Sequence, residues 1–478
     1  MVESQIQESQ VLFKTGDGLE LRGKPLRMTR LTIAFELYGN EDQVRVSQAL
    51  PSFQILVRGR TLYAGRAVVR SLVGTGPALV CEAGLDETVW RDLEFDATEA
   101  PDGGLPERFR EFLSDWQKVY RIQPKFKAVL ADMHSFLMDL RLWVDQAELS
   151  LASLGTLDRS RREREVIDGL TEPVVSAMDS FVERFEEIAG KLGPELHPRH
   201  QAYLRRQLHP LLLCSPFAHR AFFKPLGYAG DYEVVNMMLR PPYEGASLFA
   251  KLLNVWLISQ APAEAHRNRV VYLKKKLREE TVRLVGRGRP LRVFNLGCGP
   301  AHEVKLFLRE EALADRVDFT LVDFNEETLA RLRAELEIVQ QQNHRSPQLQ
   351  YIKKSVHQLL RESGRKDADH PETTYDFIYC AGLYDYLSDP VCKRLNEYFY
   401  THLAPEGLLL TTNVTDVLND SRPFRYSMEY MLDWMLIYRD GQQFAAQKPR
   451  PAPPDSLQVI TEQTGVNLFM EVRKPAHG

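Results

Sequence analysis

Two glycines and an acid carry the first chemical signal in this chain. The run Val293-Phe294-Asn295-Leu296-Gly297-Cys298-Gly299-Pro300 reads as a buried strand entering a Gly-x-Gly turn and then a helix. Glycine matters at such a turn because a side chain would block close approach of a ligand to the backbone. The free amides of the turn and the helix start can also hold a carboxylate. About 24 residues past Gly299, the apolar run 319–322 ends in Asp323 and Phe324, near the spacing of about 20 residues at which an acid meets a ribose. A carboxylate there can accept from both ribose hydroxyls, and Phe324 can pack on an adenine face. The competing structural use of Asp323 is a helix N-cap, since the next helix begins nearby. In a dinucleotide fold a third glycine would fall at position 302, which is His302. That weakens a nicotinamide dinucleotide as the ligand without excluding it.

These residues need strands and helices to position them. Beyond Arg289-Pro290 the pattern alternates. Strand-like runs at 291–296, 318–322, 350–352, 377–380 and 408–412 are interleaved with helices expected at 302–309 and 326–341. Such alternation implies βα units and a parallel sheet, with ligands at the carboxyl ends of the strands. The runs 457–460 and 467–472 bracket Gln463-Thr464-Gly465 as a closing hairpin.

Taken together these motifs resemble class I S-adenosylmethionine-dependent methyltransferases. Asn295 to Pro300 is similar to their first motif, and Asp323 matches their acidic second-strand position. Tyr375 to Tyr386 is similar to their fourth strand and its loop, Leu403 to Leu410 to the approach to the fifth, and the hairpin to the sixth and seventh. The resemblance covers about 291–474. It implies S-adenosylmethionine as cofactor, held at Asn295, Gly297, Cys298, Gly299, Asp323, Phe324 and Ala381. Adenine is expected near Ser355 and Val356, where many members carry an acid and this chain has Ser355.

Upstream, Phe222-Phe223-Lys224-Pro225-Leu226-Gly227-Tyr228-Ala229-Gly230-Asp231-Tyr232-Glu233, Tyr243 to Phe249 and His266-Arg267-Asn268-Arg269 form a second set. Over about 204–474 the chain is similar to bacterial proteins described as extracellular-factor, 3-hydroxypalmitic acid methyl ester biosynthesis proteins. That resemblance implies methylation of a 3-hydroxy fatty acid at its carboxylate, giving a signalling fatty acid methyl ester. Tyr228 could face the sulfonium, Asp231 the cofactor's ammonium, and Arg269 a carboxylate of cofactor or substrate. Against these stand a turn, a core tyrosine and a solvated helix face.

Methyl transfer is an in-line displacement, so alignment and exclusion of water supply much of the barrier reduction. A carboxylate acceptor is already ionised near neutral pH and needs no base, whereas an alcohol or phenol wants one. The loops after the fourth and fifth strands offer Tyr384, Asp385, Tyr386 and Asn413 as catalytic candidates, Asp385 as base or substrate contact and the tyrosines as positioning groups. Packing over the sheet edge is the equally weighted alternative. His302 and His357 also lie near strand ends, where a structural role leads.

The remaining chain reads differently. Strand-like runs at 12–14, 19–21, 31–37, 54–57, 61–69 and 78–81 are separated by Gly16-Asp17-Gly18, Gly39-Asn40 and Gly74-Thr75-Gly76. They suggest a small β-barrel. Its shape and Arg27-Met28-Thr29-Arg30 resemble PilZ domains, which bind cyclic di-GMP. The arginine spacing departs from their Arg-x-x-x-Arg pattern and their second motif is missing, so a degenerate PilZ-like module for protein contact or regulation is expected, not cyclic di-GMP binding. After Pro101-Asp102-Gly103-Gly104 the periodicity turns helical, with Phe109, Phe112, Leu113 and Trp116, then Val166, Ile167, Leu170, Val174, Met178 and Phe181, on 3.6-residue repeats. The mixed-charge run 158–165 reads as a solvated helix face.

The expected architecture is therefore multidomain: a small N-terminal β-barrel (1–100), a helical linker or bundle (105–203), a helical lid and substrate region (204–290), and a Rossmann-like α/β methyltransferase (291–478) with a mostly parallel seven-stranded sheet. With Lys+Arg 61 against Asp+Glu 65, net charge −4 lacks the basic footprint of a general nucleic-acid binder. Five scattered cysteines form no CxxC pair or zinc spacing, so no metal is expected. No leader or run of about 20 apolar residues is seen, and reduced thiols in a cytoplasmic protein are expected. A methyltransferase for a small molecule, one for a protein or RNA, and a non-catalytic S-adenosylmethionine or nucleotide sensor signalling through the barrel all remain open. The sequence leaves the oligomeric state unassigned.

Overall fold

The computed structural model describes residues 9–15, 19–38, 44–57, 60–74, 78–86, 89–90, 110, 122–363, 374–416 and 423–476. The turns expected at Gly16-Asp17-Gly18, Gly39-Asn40 and Thr75-Gly76, the segment 101–104, and the helical repeat of Phe109, Phe112, Leu113 and Trp116 lie outside the described residues. The chain forms two compact units. One comprises Met1–Ala229, Pro241–Leu257 and Phe424–Met435; the other comprises Gly230–Arg240, Ile258–Pro423 and Leu436–Gly478.

The first unit begins with six antiparallel strands: β1 (Ser9–Lys14), β2 (Glu20–Met28), β3 (Thr32–Tyr38), β4 (Ala49–Val57), β5 (Arg60–Gly74) and β6 (Ala78–Leu85). They close as β1-β2-β3-β6-β5-β4, with β4 pairing back onto β1. Closure removes the unpaired edges that an open sheet would leave. β2 extends well past the apolar residues that signalled it. Its Leu21, Gly23 and Pro25 face inward while Glu20, Arg22 and Lys24 face out, so the alternation is masked by charge. Phe13, Phe35, Phe53 and Tyr63 fill the barrel, with Phe53 centred 5.8 Å from Phe13 and 5.7 Å from Phe35.

The same unit contains the long helices Pro124–Leu151 and Thr156–Ala189. Of the expected helical stripe, Ile167, Val174 and Met178 are buried, and Val166, Leu170 and Phe181 are partly so. The charge run is mostly solvated, but Glu163 is buried and pairs with Arg159 at 2.8 Å and Lys251 at 2.5 Å.

The short helix Arg425–Met431 is held at both ends by side chains of this unit. Glu186 accepts from the amides of Tyr426 (3.1 Å) and Ser427 (2.6 Å). At the other end Gln201 donates to Glu429 O at 2.6 Å, Arg205 to Tyr430 O at 3.1 Å, and Lys224 to Leu432 O at 3.1 Å. These cap carbonyls that the helix itself cannot satisfy.

Burial of Lys224, 2% exposed, pushes its pKa down to about 7 despite nearby Asp433. Unfolded, a lysine titrates near pH 10.4. Between about pH 7 and pH 10 the unfolded chain therefore binds more protons, and stability rises with pH. Unfolding free energies over that range are expected to climb more steeply in the wild type than in Lys224→Met; equal slopes would contradict this.

The second unit holds β7 (Leu291–Leu296), β8 (Val317–Asp323), β9 (Gln348–Lys353), β10 (Tyr375–Cys380), β11 (Leu403–Val414), β12 (Leu457–Thr461) and β13 (Asn467–Arg473). The sheet order is β12-β13-β11-β10-β7-β8-β9. Pairing is parallel from β9 through β11, and β13 runs antiparallel to both neighbours. This is the expected mostly parallel sheet with a terminal hairpin.

Helices Ala261–Val285, His302–Glu310 and Glu326–Asn343 pack on one face, and Val356–Ser363, Asp389–His402 and Gly441–Ala445 on the other. Cover on both faces explains the nearly continuous apolar runs of β7, β8 and β10. The order reverses between β7 and β10, and in open α/β sheets the carboxyl ends of the strands at such a reversal are where ligands bind.

Candidate active site

The glycine turn forms where the sequence placed it. β7 ends at Leu296, and Gly297 (φ 68) and Gly299 (φ 51) take left-handed conformations before the helix His302–Glu310. A Cβ added at Gly299 would meet nothing within 4 Å, and one at Gly297 would meet only Leu383, at 3.6 Å. The backbone is thus open to a neighbour at Gly299 and roofed by Leu383 at Gly297.

The expectation of free turn amides is corrected. Gly297 N and Cys298 N donate to Val322 O at 2.8 and 3.1 Å, Gly299 N to Asp323 Oδ2 at 3.1 Å, and Ala301 N to Cys298 O at 3.0 Å. Three of these donors tie the turn to the end of β8, and the Ala301 amide closes it on itself.

Asp323 is 6% exposed and does more than end a strand. Its Oδ2 takes the Gly299 amide and its Oδ1 takes the Asn325 amide at 3.0 Å. The helix N-cap is Asn325 instead, whose side chain accepts from Thr328 N. The carboxylate thus sits at the carboxyl end of β8, bonded directly to the glycine turn. Phe324 follows, half-buried.

Asn295 and Cys298 are buried on the strand side of the turn. Asn295 Nδ2 donates to Glu303 Oε1 at 3.2 Å, and Tyr379 Oη to the same oxygen at 2.8 Å. Burial pushes the Glu303 carboxyl above its usual range, against the Tyr379 hydroxyl and Arg269. The Cys298 thiol is pushed up by burial as well.

In the loop after β10, Ala381 is half-buried against the core, and Gly382 N donates to Thr412 Oγ1 at 3.0 Å. Tyr384 is wholly buried. Its hydroxyl donates to Asn396 Oδ1 at 2.6 Å, which places it in the core of the Asp389–His402 face. Asn413 is also wholly buried, donating to Val414 O at 2.8 Å and Ile437 O at 3.0 Å and accepting from Arg439 at 2.5 Å.

Asp385 is 4% exposed and accepts from Val414 N at 2.6 Å. Burial raises its carboxyl above the usual range, opposed by that amide, Arg269 and Arg439. Tyr386 is half-buried beside it.

Arg439 was not anticipated. It is 2% exposed and donates to Asp389 Oδ1 (2.8 Å), Tyr384 O (3.0 Å), Asn413 Oδ1 (2.5 Å) and Leu387 O (2.6 Å). The loop after β10 is thereby pinned to the end of β11.

The outlying candidates divide. Arg269, on the helix Ala261–Val285, is buried in the same unit beside Gly382. Asp231 is wholly buried, and its Oδ1 caps the helix Tyr232–Leu239 by accepting from Glu233 N and Val234 N, both at 3.0 Å. Ser355 likewise caps the helix Val356–Ser363: Gln358 N donates to its Oγ at 3.2 Å, and its own amide donates to Gln358 Oε1 at 2.8 Å. Val356 is core, 2% exposed. Tyr228 is half-buried within the first unit. His302 Nε2 meets Asn236 Oδ1 at 2.7 Å, and burial pushes its pKa down to about 4. Among the described residues, no group of three His, Cys, Asp or Glu side chains could hold a metal ion, and no helix is long and apolar enough to cross a membrane.

A family model described as a methyltransferase domain matches residues 268–469. No curated protein matches the chain. Among solved structures, a "possible exported protein" from Bordetella parapertussis is 18% identical, covering 63% of this chain and 96% of that one at a TM-score of 0.43. The N-methyltransferase NodS of Bradyrhizobium japonicum is 14% identical, covering 45% of this chain and 98% of its own, at 0.27. The magnesium protoporphyrin IX methyltransferase of Synechocystis, solved with SAH bound, is 9% identical, covering 44% and 86%, at 0.30. The family match falls on the parallel sheet, its glycine turn and its closing hairpin, and residues 268–469 of this chain are a methyltransferase domain.

Proposed function

We propose that the chain transfers the methyl group of S-adenosylmethionine to a small-molecule acceptor at the carboxyl ends of β7, β8 and β10. The observation that carries this reading is Asp323, an acid at the end of β8 bonded to an open glycine turn inside a methyltransferase domain. The residues fit the cofactor. Asp323 would take the ribose hydroxyls, Gly299 would let the nucleoside approach the backbone, and Phe324 would pack on the adenine. The cofactor supplies a methyl group made electrophilic by a sulfonium.

The chain's own groups orient and exclude. Leu383 roofs the turn, Ala381 lines the loop, and Asn295 and Cys298 set the floor beneath it. Asp385 and Tyr386 face the acceptor; Tyr384 and Asn413 serve as positioning residues that hold their loop. Asp385, its carboxyl raised above the usual range by burial, would be the group to accept a proton from a hydroxyl acceptor. A carboxylate acceptor would need only alignment. Ser355 and Val356 would meet adenine through backbone, since Ser355 Oγ is spent on a cap.

The acceptor we favour is the carboxylate of a 3-hydroxy fatty acid, on the resemblance of the upstream segment alone. Asp231 and Tyr228 are assigned to the cofactor's amino-acid end on the same ground. We read the closed barrel as a PilZ-like module for protein contact, not cyclic di-GMP binding. We keep the domain bounds 1–100, 105–203, 204–290 and 291–478, and a cytoplasmic setting in keeping with five free thiols.

A transfer assay with methyl-labelled cofactor tests this. Label is expected in an ester of a 3-hydroxy fatty acid that mild alkali releases. Label found only in protein or RNA after incubation with cell lysate would rule the small-molecule acceptor out.

A further inference from the structure

Arg269 sits mid-way along the helix Ala261–Val285 and is 8% exposed. Among the described residues, no carboxylate comes within 4.0 Å of its guanidinium. Its hydrogen-bond neighbour is the ring of His266, one turn earlier, whose two nitrogens lie 2.9 and 3.0 Å from the same Nη2. Only one nitrogen of an uncharged imidazole can accept, so at most one of these contacts is a hydrogen bond and the ring lies alongside the guanidinium. It is not a counter-ion.

The acids that act on Arg269 from farther off are otherwise engaged. Asp385 holds the Val414 amide at 2.6 Å, and Glu303 holds Tyr379 and Asn295.

The chain also keeps space around this cation. Gly382 has φ 85, and a Cβ there would lie 2.9 Å from Nη2 and 3.0 Å from Nη1. A guanidinium carries five donors in a planar fork that matches a carboxylate. Taking it out of water without a paired anion costs several kcal/mol. The neighbouring turn offers no substitute, since the amides of Gly297, Cys298, Gly299 and Ala301 are committed. Leu383, which roofs Gly297, is the residue after Gly382, so the guanidinium lies against the loop that covers the turn.

We propose that Arg269, with the His266 ring beside it, is the carboxylate receptor of the methyl-transfer site. This rests on the reading of the site given above. The carboxylate is either the amino-acid end of the cofactor or the head of the acceptor.

Titrations on the full chain separate these. S-adenosylhomocysteine and 5′-methylthioadenosine share the nucleoside, and only the first carries a carboxylate. If the cofactor fills the site, the wild type prefers S-adenosylhomocysteine by about tenfold or more, as expected for a charged hydrogen-bond pair. Arg269→Gln then loses that preference while methylthioadenosine binds as before. If the acceptor fills it, the preference survives in Arg269→Gln, and 3-hydroxydecanoate titrated into the nucleoside-saturated protein loses about tenfold or more in affinity.

Arg269→Lys, which keeps the charge and loses the fork, should fall between wild type and Gln, and it serves where Gln does not fold. Equal nucleoside preference and equal fatty-acid affinity in wild type and variants would overturn the proposal. A wild type that binds neither nucleoside sinks the cofactor reading instead. The receptor is then judged by direct titration with 3-hydroxydecanoate, and failure of the wild type to bind it overturns the receptor too.

Discussion

Asp323→Ala is expected to weaken binding of S-adenosylhomocysteine by about 1–3 kcal/mol, roughly fivefold to 150-fold, with the fold intact. The carboxylate joins three things at once. It accepts from Gly299 N at 3.1 Å and from Asn325 N at 3.0 Å, and in the proposed site it takes the ribose hydroxyls. Alanine removes the ribose contact and takes the side-chain acceptor from the Gly299 and Asn325 amides, while Gly297 and Cys298 stay bonded to Val322 O. Asparagine keeps the size and one accepting oxygen, but it aims an NH2 at a backbone amide that also donates. Asp323→Asn should therefore lose nearly as much as alanine. Calorimetric titration of both variants checks this. An affinity unchanged in Asp323→Ala would remove the ribose role.

Arg439→Met should cost about 3–5 kcal/mol of stability, as three buried neutral acceptors lose their charged donor at about 1–3 kcal/mol each and relax in part. Tyr384 O, Leu387 O and Asn413 Oδ1 would each lose a donor in the interior. Asp389, whose side chain is 59% exposed, can turn to water and adds little. Arg439→Lys should recover only part of the loss, because an ammonium cannot reach in all these directions in one plane. The measurement is the urea midpoint of the second unit's unfolding. A midpoint within error of wild type for Arg439→Met would mean that the loop after β10 is held by something else.

The two predictions concern residues of opposite legibility. Gly297, Gly299 and Asp323 could be read because their chemistry is local: a strand, a turn, a helix, then a strand ending in an acid. The sheet could be read for the same reason, since each apolar run carries its own signal. Arg439 could not. Its partners lie 26 to 55 positions away, and it follows a helix that belongs to the other unit. Glu303 reads as an exposed position in an amphipathic helix, and only the arrival of Asn295 and Tyr379 from neighbouring strands makes it a buried acceptor.

Several residues whose type suggested a ligand contact also have local uses that the sequence did not show. Asp231 and Ser355 are good helix caps, and both spend side-chain oxygens as caps. Tyr384 has an acceptor-facing look in the loop after β10. Burial turns it into the core, where Asn396 satisfies its hydroxyl. The turn amides look free in a Gly-x-Gly reading, and the register of β7 against β8 consumes them.

The central claim is that the site beside Asp323 binds the methyl donor. Titrating S-adenosylhomocysteine into the full chain by calorimetry tests it most directly. The account predicts a single saturable site per chain with a dissociation constant on the order of micromolar. Absence of binding at millimolar nucleoside, in a protein whose unfolding transitions are intact, would contradict it.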